Sequence, residues 1–155
     1  ARNILEFAKV NNSRSLVYLS SMEVYGSPTD GSKVYETSAS HLDTMAVRSS
    51  YPEAKRACEC LCAAYAAQYN VNAKAVRLTQ TFGRGVSYDD KRVFAEFARC
   101  AIEGRDIVLK TKGETMRNYL STDDAADAIL TVLLDGKAGE AYLLLHLRYG
   151  AYGSR

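Results

Sequence analysis

The chain has 155 residues, of which 47% are hydrophobic and 25% are charged. These proportions exclude disorder, a collagen repeat and a coiled coil, and they indicate one domain's worth of folded sequence. The net charge of +2 comes without a basic run, so no nucleic-acid partner is predicted. No apolar run approaches the roughly 18 residues of a membrane span, so no membrane association is predicted either.

The elements predicted from hydrophobic spacing alternate between helix and strand. The N-terminal half predicts an amphipathic helix over 2–11, a buried parallel strand over 15–20, a long loop over 26–50 and a helix over 52–68. In the C-terminal half, the pattern predicts a strand over 72–78, a turn at Gly83 and Gly85, and a helix over 89–103. It then predicts short strands at 107–109 and 118–120. The last elements are a helix capped by Thr122 or Asp123 and ending at Gly136, and a strand over 141–146. This alternation favours an α/β fold with a parallel sheet.

The four cysteines are predicted to be small buried residues on packed helices rather than ligands or disulfide partners. They are Cys58, Cys60, Cys62 and Cys100. Cys60 is offset from its two neighbours on the helix and no histidine lies nearby, so no metal site is predicted. The N-terminus shows no secretion signal and begins as if within a helix. We therefore expect a cytoplasmic protein and a piece of a longer one.

Tyr51 and Lys55 carry the first chemical signal. They lie four residues apart at the start of a predicted helix, so both side chains share one face. An ammonium group beside a phenol favours the phenolate, which makes Tyr51 a candidate general acid and base. Ser20 and Ser21 end the preceding buried strand, at the edge where parallel sheets place residues that handle ligands.

Four segments then resemble, in their order and spacing, one family of enzymes. They are Ser20–Gly26 (Ser-Ser-Met-Glu-Val-Tyr-Gly), Ser49–Arg56 (Ser-Ser-Tyr-Pro-Glu-Ala-Lys-Arg), Val76–Gly83 and Arg117–Asp124. The pattern resembles the extended short-chain dehydrogenase/reductases, and more narrowly the NAD-dependent nucleotide-sugar epimerase/dehydratase family, over about residues 1–142. The resemblance implies a partial Rossmann-like, doubly wound parallel sheet, with 1–82 as the second half of the NAD-binding domain and 83–155 as a substrate-binding segment with a returning helix and strand.

The resemblance also implies catalytic roles. Ser21 takes the position of the catalytic serine or threonine. Tyr51 would move the proton of a sugar hydroxyl while hydride passes to the nicotinamide, and Lys55 would bind the nicotinamide ribose. Glu23 can transfer a proton, whereas Met22 before it cannot.

Binding residues follow from the same resemblance. The cofactor is implied to be NAD, with NADP not excluded, and the stretch from Arg77 to Gln80 would pass the nicotinamide. Cofactor contacts are implied for Ser20, Leu78 and Thr79, in addition to Tyr51 and Lys55. Contacts with the diphosphate of a nucleotide-sugar substrate are implied for Gln80, Arg92 and Arg117, since guanidinium forks suit phosphate oxygens.

One departure from the family's pattern limits what this chain can do alone. The glycine-rich Gly-x-x-Gly-x-x-Gly turn that seats the pyrophosphate is absent from the sequence, and Gly83-Arg84-Gly85 does not replace it. The chain by itself is therefore expected to hold the dinucleotide poorly and to be inactive. In the family, helices corresponding to 2–11 and 52–69 pair across a two-fold axis, which implies a homodimer or higher oligomer.

The reaction class stays open between several alternatives. A lone glutamate at position 23 resembles nucleotide-sugar decarboxylases and some dehydratases, although it equally suits a structural carboxylate bonded to loop amides. The segments 48–51 and 83–97 align with the UDP-glucuronate decarboxylase pattern, except that Arg84-Gly85 replaces its Pro-Arg. The alternatives to an epimerase or dehydratase are thus a decarboxylase-like enzyme and a non-catalytic, self-associating segment.

Overall fold

A computed structural model describes residues 1–26, 34–38, 41–109, 111–113 and 117–145. Within these ranges the chain forms helices α1 (Arg2–Val10), α2 (Ser50–Tyr69), α3 (Val93–Glu103) and α4 (Thr122–Asp135). The strands are β1 (Leu16–Ser21), β2 (Ala73–Leu78), β3 (Gln80–Phe82), β4 (Tyr119–Ser121) and β5 (Ala141–Leu144). Two single-turn 3₁₀ helices, Met22–Tyr25 and Val47–Ser49, lie in the stretch between β1 and α2.

The strands form two parallel sheets, which confirms the predicted α/β class. The larger sheet has the order β1-β2-β5, with Leu16 opposite Ala73 and Ser21 opposite Leu78. Because β1 and β2 run parallel and in step, Ser21 and Leu78 reach the same carboxyl edge. The smaller sheet pairs β3 with β4. The sequence did not predict β3 as a strand, because its three residues directly follow β2 after Thr79.

The two faces of the larger sheet are covered by different helices. One face packs against α1 and α2 through a buried cluster of Leu5, Ala8, Cys62, Tyr65, Val71 and Ala73. Because side chains alternate along a strand, Lys74 lies on the opposite face, where it reaches the backbone carbonyl of Leu133 in α4. The larger sheet is therefore held between two helical layers.

Several predicted boundaries are wrong for local reasons. The helix expected over 89–103 begins only at Val93, because Asp90 Oδ1 accepts a hydrogen bond from the Arg92 amide at 2.9 Å and ends the preceding loop. The cap of α4 is Ser121, whose side chain accepts from the Asp124 amide at 3.0 Å, rather than Thr122 or Asp123. Residues 107–109 form no strand and lie exposed, since no described strand pairs with them.

The cysteine prediction is only partly right. All four thiols are free, and Cys62 and Cys100 are buried, but Cys58 is half-buried and Cys60 is exposed. Burial raises the pKa of the Cys62 thiol to about 11, so this thiol stays protonated. In the described ranges no cluster of His, Cys, Asp and Glu could hold a metal ion.

None of the helices in the described part of the chain is long and apolar enough to cross a membrane.

Two of the predicted elements extend beyond the described residues. The last strand ends at Leu144, and residues 146–155 lie outside the described part, as do residues 27–33 and 39–40 of the predicted loop.

Candidate active site at the carboxyl ends of β1 and β2

Ser21 ends β1 and begins the 3₁₀ turn Met22–Tyr25. Its Oγ accepts a hydrogen bond from the Glu23 amide at 3.3 Å, and the Gly26 amide closes the turn on the Glu23 carbonyl at 2.9 Å. A hydroxyl that accepts one bond still has its own proton to donate. The turn thus presents a serine donor and, two residues later, the exposed side chain of Glu23.

The first two turns of α2 lie against this end of β1. Lys55 Nζ donates to the Leu19 carbonyl at 2.8 Å, two residues before Ser21. The same ammonium lies 5.6 Å from the centre of the Tyr51 ring and 5.0 Å from that of Tyr18. Tyr51 is 49% exposed. The structure therefore brings Lys55 and Tyr51 to the edge that carries Ser21, and contact between the Tyr51 and Ser21 oxygens stays a prediction.

Two further tyrosines near this edge are poor candidates for proton transfer. Burial and a hydrogen bond with the Cys58 thiol raise the pKa of the Tyr18 phenol well above its usual range. Burial also raises the pKa of Tyr25, although its hydrogen bond with Arg77 acts in the opposite direction. A phenol with a raised pKa stays protonated and cannot act as a base near neutral pH. Tyr51 is exposed at this edge, and its role as the proton-transferring phenol stays a prediction.

Ser20 and Thr79, both predicted to contact the cofactor, carry buried hydroxyls without a partner among the described residues. They are 4% and 5% exposed, and neither Oγ of Ser20 nor Oγ1 of Thr79 makes a hydrogen bond. A buried polar atom left unpaired costs about 1–3 kcal/mol, so such atoms call for an explanation in a native fold. Both lie at the ends of neighbouring strands, close in sequence to the half-buried Leu78, and their contact with the cofactor stays a prediction.

Two of the predicted substrate residues lie at the same end of the smaller sheet. Gln80 opens β3 and lies opposite Tyr119 at the beginning of β4. Arg117 precedes Tyr119 by two residues and is exposed. Because β3 and β4 run parallel, Gln80 and Arg117 belong to the same end of the smaller sheet.

Arg92, the third predicted substrate residue, is tied to this end by an aromatic cluster. Its guanidinium lies 4.6 Å from the centre of the Phe94 ring, which packs edge-on against Tyr119 with centres 5.4 Å apart. The Arg92 Nε bonds both carboxylate oxygens of Asp90, at 3.0 and 2.9 Å. This pair lowers the pKa of Asp90 to about 2. Arg92 is therefore held by a neighbouring carboxylate and an aromatic face.

Sequence reasoning missed a buried polar network behind the turn. The Arg77 guanidinium bonds Glu59 of α2, with an Nη2–Oε2 distance of 2.7 Å, and its Nη1 donates to the Tyr25 hydroxyl and the Glu36 carbonyl, each at 2.7 Å. Burial alone would lower the pKa of Arg77, but the bonds to Glu59 and Tyr25 raise it. Arg77 is a structural link between α2, β2 and the turn.

A model of the NAD dependent epimerase/dehydratase family matches residues 1–144 of this chain. The chain belongs to this family. The UDP-glucuronic acid decarboxylase 1 of Xenopus tropicalis is 30% identical over 134 residues, which are 84% of this chain and 31% of that protein. The human dTDP-D-glucose 4,6-dehydratase is 32% identical over 126 residues, covering 81% of this chain and 34% of that protein.

The fold agrees with this assignment. A crystal structure of dTDP-glucose 4,6-dehydratase from Bacillus anthracis in complex with NAD superposes with a TM-score of 0.80 at 24% identity, covering 95% of this chain and 45% of that one. The likeness in fold to this Rossmann-like structure thus extends over nearly the whole length of the present chain. It spans about a third of the length of the curated relatives named above.

Proposed function

We propose that this chain carries the catalytic half of an NAD-dependent enzyme that modifies nucleotide-diphosphate sugars through a transient keto intermediate. The observation that carries the proposal is the bond from Lys55 Nζ to the Leu19 carbonyl at 2.8 Å, which brings the Tyr51–Lys55 face of α2 to the end of β1. The family supports the cofactor, since its members are described as NAD dependent.

In this proposal each residue of the edge has a defined task. The phenolate of Tyr51 takes the proton of a sugar hydroxyl, and Ser21 donates a hydrogen bond to the same oxygen. When bound, NAD would accept the hydride that leaves the sugar carbon and would return it to the sugar later in the cycle. Lys55 holds its ammonium beside Tyr51, where a positive charge favours the phenolate.

The remaining predicted residues divide between cofactor and substrate. The unpaired hydroxyls of Ser20 and Thr79, with Leu78 between the strand ends, would contact the nicotinamide nucleotide. Gln80, Arg92 and Arg117 would hold the diphosphate of the substrate. Bidentate guanidinium groups are the usual ligands for such oxygens, and Arg92 would present to the phosphates the edge that Asp90 leaves uncovered.

Decarboxylation is a second candidate, favoured by the exposed Glu23 two residues after Ser21. A carboxylate at that position can exchange a proton with the sugar carbon next to the keto group. The Xenopus relative, 30% identical, is described as a UDP-glucuronic acid decarboxylase, and the human relative as a dehydratase. Glu23→Gln separates these enzymes from a simple 4-epimerase, which would lose little activity.

The proposal is tested by the substitution Tyr51→Phe in the full-length natural protein that contains this chain. Turnover should fall by about 10²–10⁴-fold, the usual contribution of a general acid and base, while nucleotide-sugar binding stays nearly unchanged. Arg117→Ala should do the reverse and chiefly weaken binding. A Tyr51→Phe protein that turns over like the wild type would refute the assignment of Tyr51.

We also propose a cytoplasmic location and a homodimer or higher oligomer. Four free thiols suit a reducing compartment. The outer face of α1 exposes Ile4, Phe7 and Val10 at 61, 62 and 75%, an apolar surface that a second copy could cover together with α2.

A further inference from the structure

Two consecutive residues of α2 hold the backbone on either side of Ser20–Glu23. Lys55 bonds the Leu19 carbonyl before this segment. Arg56 bonds the Val24 carbonyl after it, through Nε at 2.9 Å and Nη2 at 2.6 Å. Successive residues of a helix point about 100° apart, so neighbouring side chains can reach the two ends of one turn.

The turn depends on such outside contacts because it is short. It spans four residues, and besides the backbone bonds within the 3₁₀ turn itself the Glu23 amide bonds Ser21 Oγ at 3.3 Å and the Gly26 amide bonds the Glu23 carbonyl. Val24 is 5% exposed, so its carbonyl needs a partner from the protein. Arg56 supplies two parallel donors to that single oxygen, which fixes direction as well as distance.

We propose that Arg56 is a positioning residue that sets Ser21 and Glu23 against Tyr51 and Lys55 for the reaction. This inference rests on the proposed function, since it assigns Arg56 a task in that same site. Arg56 does not touch the reacting atoms in this account. It joins the helix that carries the proton-transferring phenol to the turn that carries the serine and the carboxylate.

Three variants isolate the contribution of the two bonds from Arg56 to the Val24 carbonyl. Arg56→Met keeps the aliphatic stem and removes every donor, and Arg56→Lys keeps one charged donor group on a stem of similar length. Glu53→Gln is the matched control, because it breaks the ion pair between Arg56 Nη1 and Glu53 Oε1, at 3.2 Å, and leaves both bonds to Val24 in place.

The first measurement is hydrogen exchange in this chain and does not depend on activity. Arg56→Met should speed exchange of the amides in 22–26 by about tenfold and leave those of β2 unchanged, because a charged hydrogen bond to the turn is lost. Arg56→Lys should fall between the wild type and Arg56→Met, and Glu53→Gln should match the wild type. Unchanged exchange in both Arg56 variants would overturn the proposal. Should Arg56→Met fail to fold, Arg56→Lys alone decides it.

The second measurement is steady-state kinetics of the NAD-loaded, full-length protein. Arg56→Met should lower kcat by about 10- to 100-fold with KM within about twofold, since misplacement by about 1 Å costs that much in rate. Arg56→Lys should recover part of the loss, and Glu53→Gln should behave as wild type. An active wild type with an equally active Arg56→Met would overturn the positioning role alone. An inactive, NAD-loaded wild type would overturn the proposed function and this inference together.

Discussion

Lys74 is fully buried on the face of the larger sheet that α4 covers. Its ammonium donates to Ser15 Oγ at 2.7 Å and to the Leu133 carbonyl at 3.2 Å, and Ser15 Oγ donates to the same carbonyl at 2.5 Å. Leu133 lies in the last turn of α4, where carbonyls lack partners within the helix and a positive charge is favoured. We predict that Lys74→Met changes stability little.

The expected magnitude follows from these contacts. Lys74→Met gives up two charge-assisted bonds of about 1.5–3 kcal/mol each, but it also removes the several kcal/mol that it costs to desolvate an ammonium. The Leu133 carbonyl keeps the Ser15 hydroxyl, so no buried group is left unpaired. The free energy of unfolding should stay within about 1.5 kcal/mol of the wild type. Ser15→Ala leaves the ammonium only the long bond to Leu133 and should cost about 1–3 kcal/mol.

The same site predicts a pH dependence. Burial lowers the pKa of Lys74 below its usual 10.5, partly offset by Asp135. Between the lowered value and 10.5 the unfolded chain binds more protons than the folded one, so the stability of the wild type rises with pH in that window. Lys74→Met lacks this titration, and the difference between the two proteins isolates it from other groups.

Urea unfolding of the three proteins at several alkaline pH values measures both effects. The free energy of unfolding of the wild type should increase relative to that of Lys74→Met as the pH rises. Ser15→Ala should be the least stable of the three proteins near neutral pH. A Lys74→Met protein that is less stable than Ser15→Ala, or a wild-type stability that falls relative to Lys74→Met as the pH rises toward 10.5, would refute the reasoning.

Three more outcomes follow from the contacts. Glu59→Gln should cost about 3 kcal/mol because it leaves the buried Arg77 charge without its counterion, whereas Asp123→Asn, in an exposed pair, should cost less than about 1 kcal/mol by thermal unfolding. Thr79→Val removes an unpaired hydroxyl, so the cofactor-free chain should be unharmed while calorimetric NAD affinity of the full-length protein falls several-fold. Light scattering of this chain should show an oligomer at micromolar concentration, and a monomer would contradict the proposed interface on α1 and α2.

The sequence was informative where one element decides its own structure. The sequence predicted a helix over 52–68 and a buried parallel strand over 15–20, and the structure confirms both elements, whereas the role of the edge they share stays a prediction. Residues 107–109 illustrate the limit. Their apolar, β-branched composition predicts a strand, but a strand exists only with a partner, and the described part of the chain offers none.

Contacts between distant segments were beyond sequence reasoning for the same reason. The bonds from Arg56 to Val24 and from Arg77 to Glu59 join residues 32 and 18 positions apart, and no local pattern reveals them. The start of α3 was missed because Asp90 caps the loop through the Arg92 amide, a choice of partner that apolar periodicity does not contain.

The central claim is that Ser21, Tyr51 and Lys55 form one proton-transfer site, and a crystal structure of the full-length protein with NAD bound tests it most directly. The account predicts the Tyr51 hydroxyl within about 3.2 Å of Ser21 Oγ, the reach of a hydrogen bond, with Lys55 Nζ beside the nicotinamide ribose. A Tyr51 side chain directed to solvent and away from Ser21 in the NAD-bound protein would contradict it.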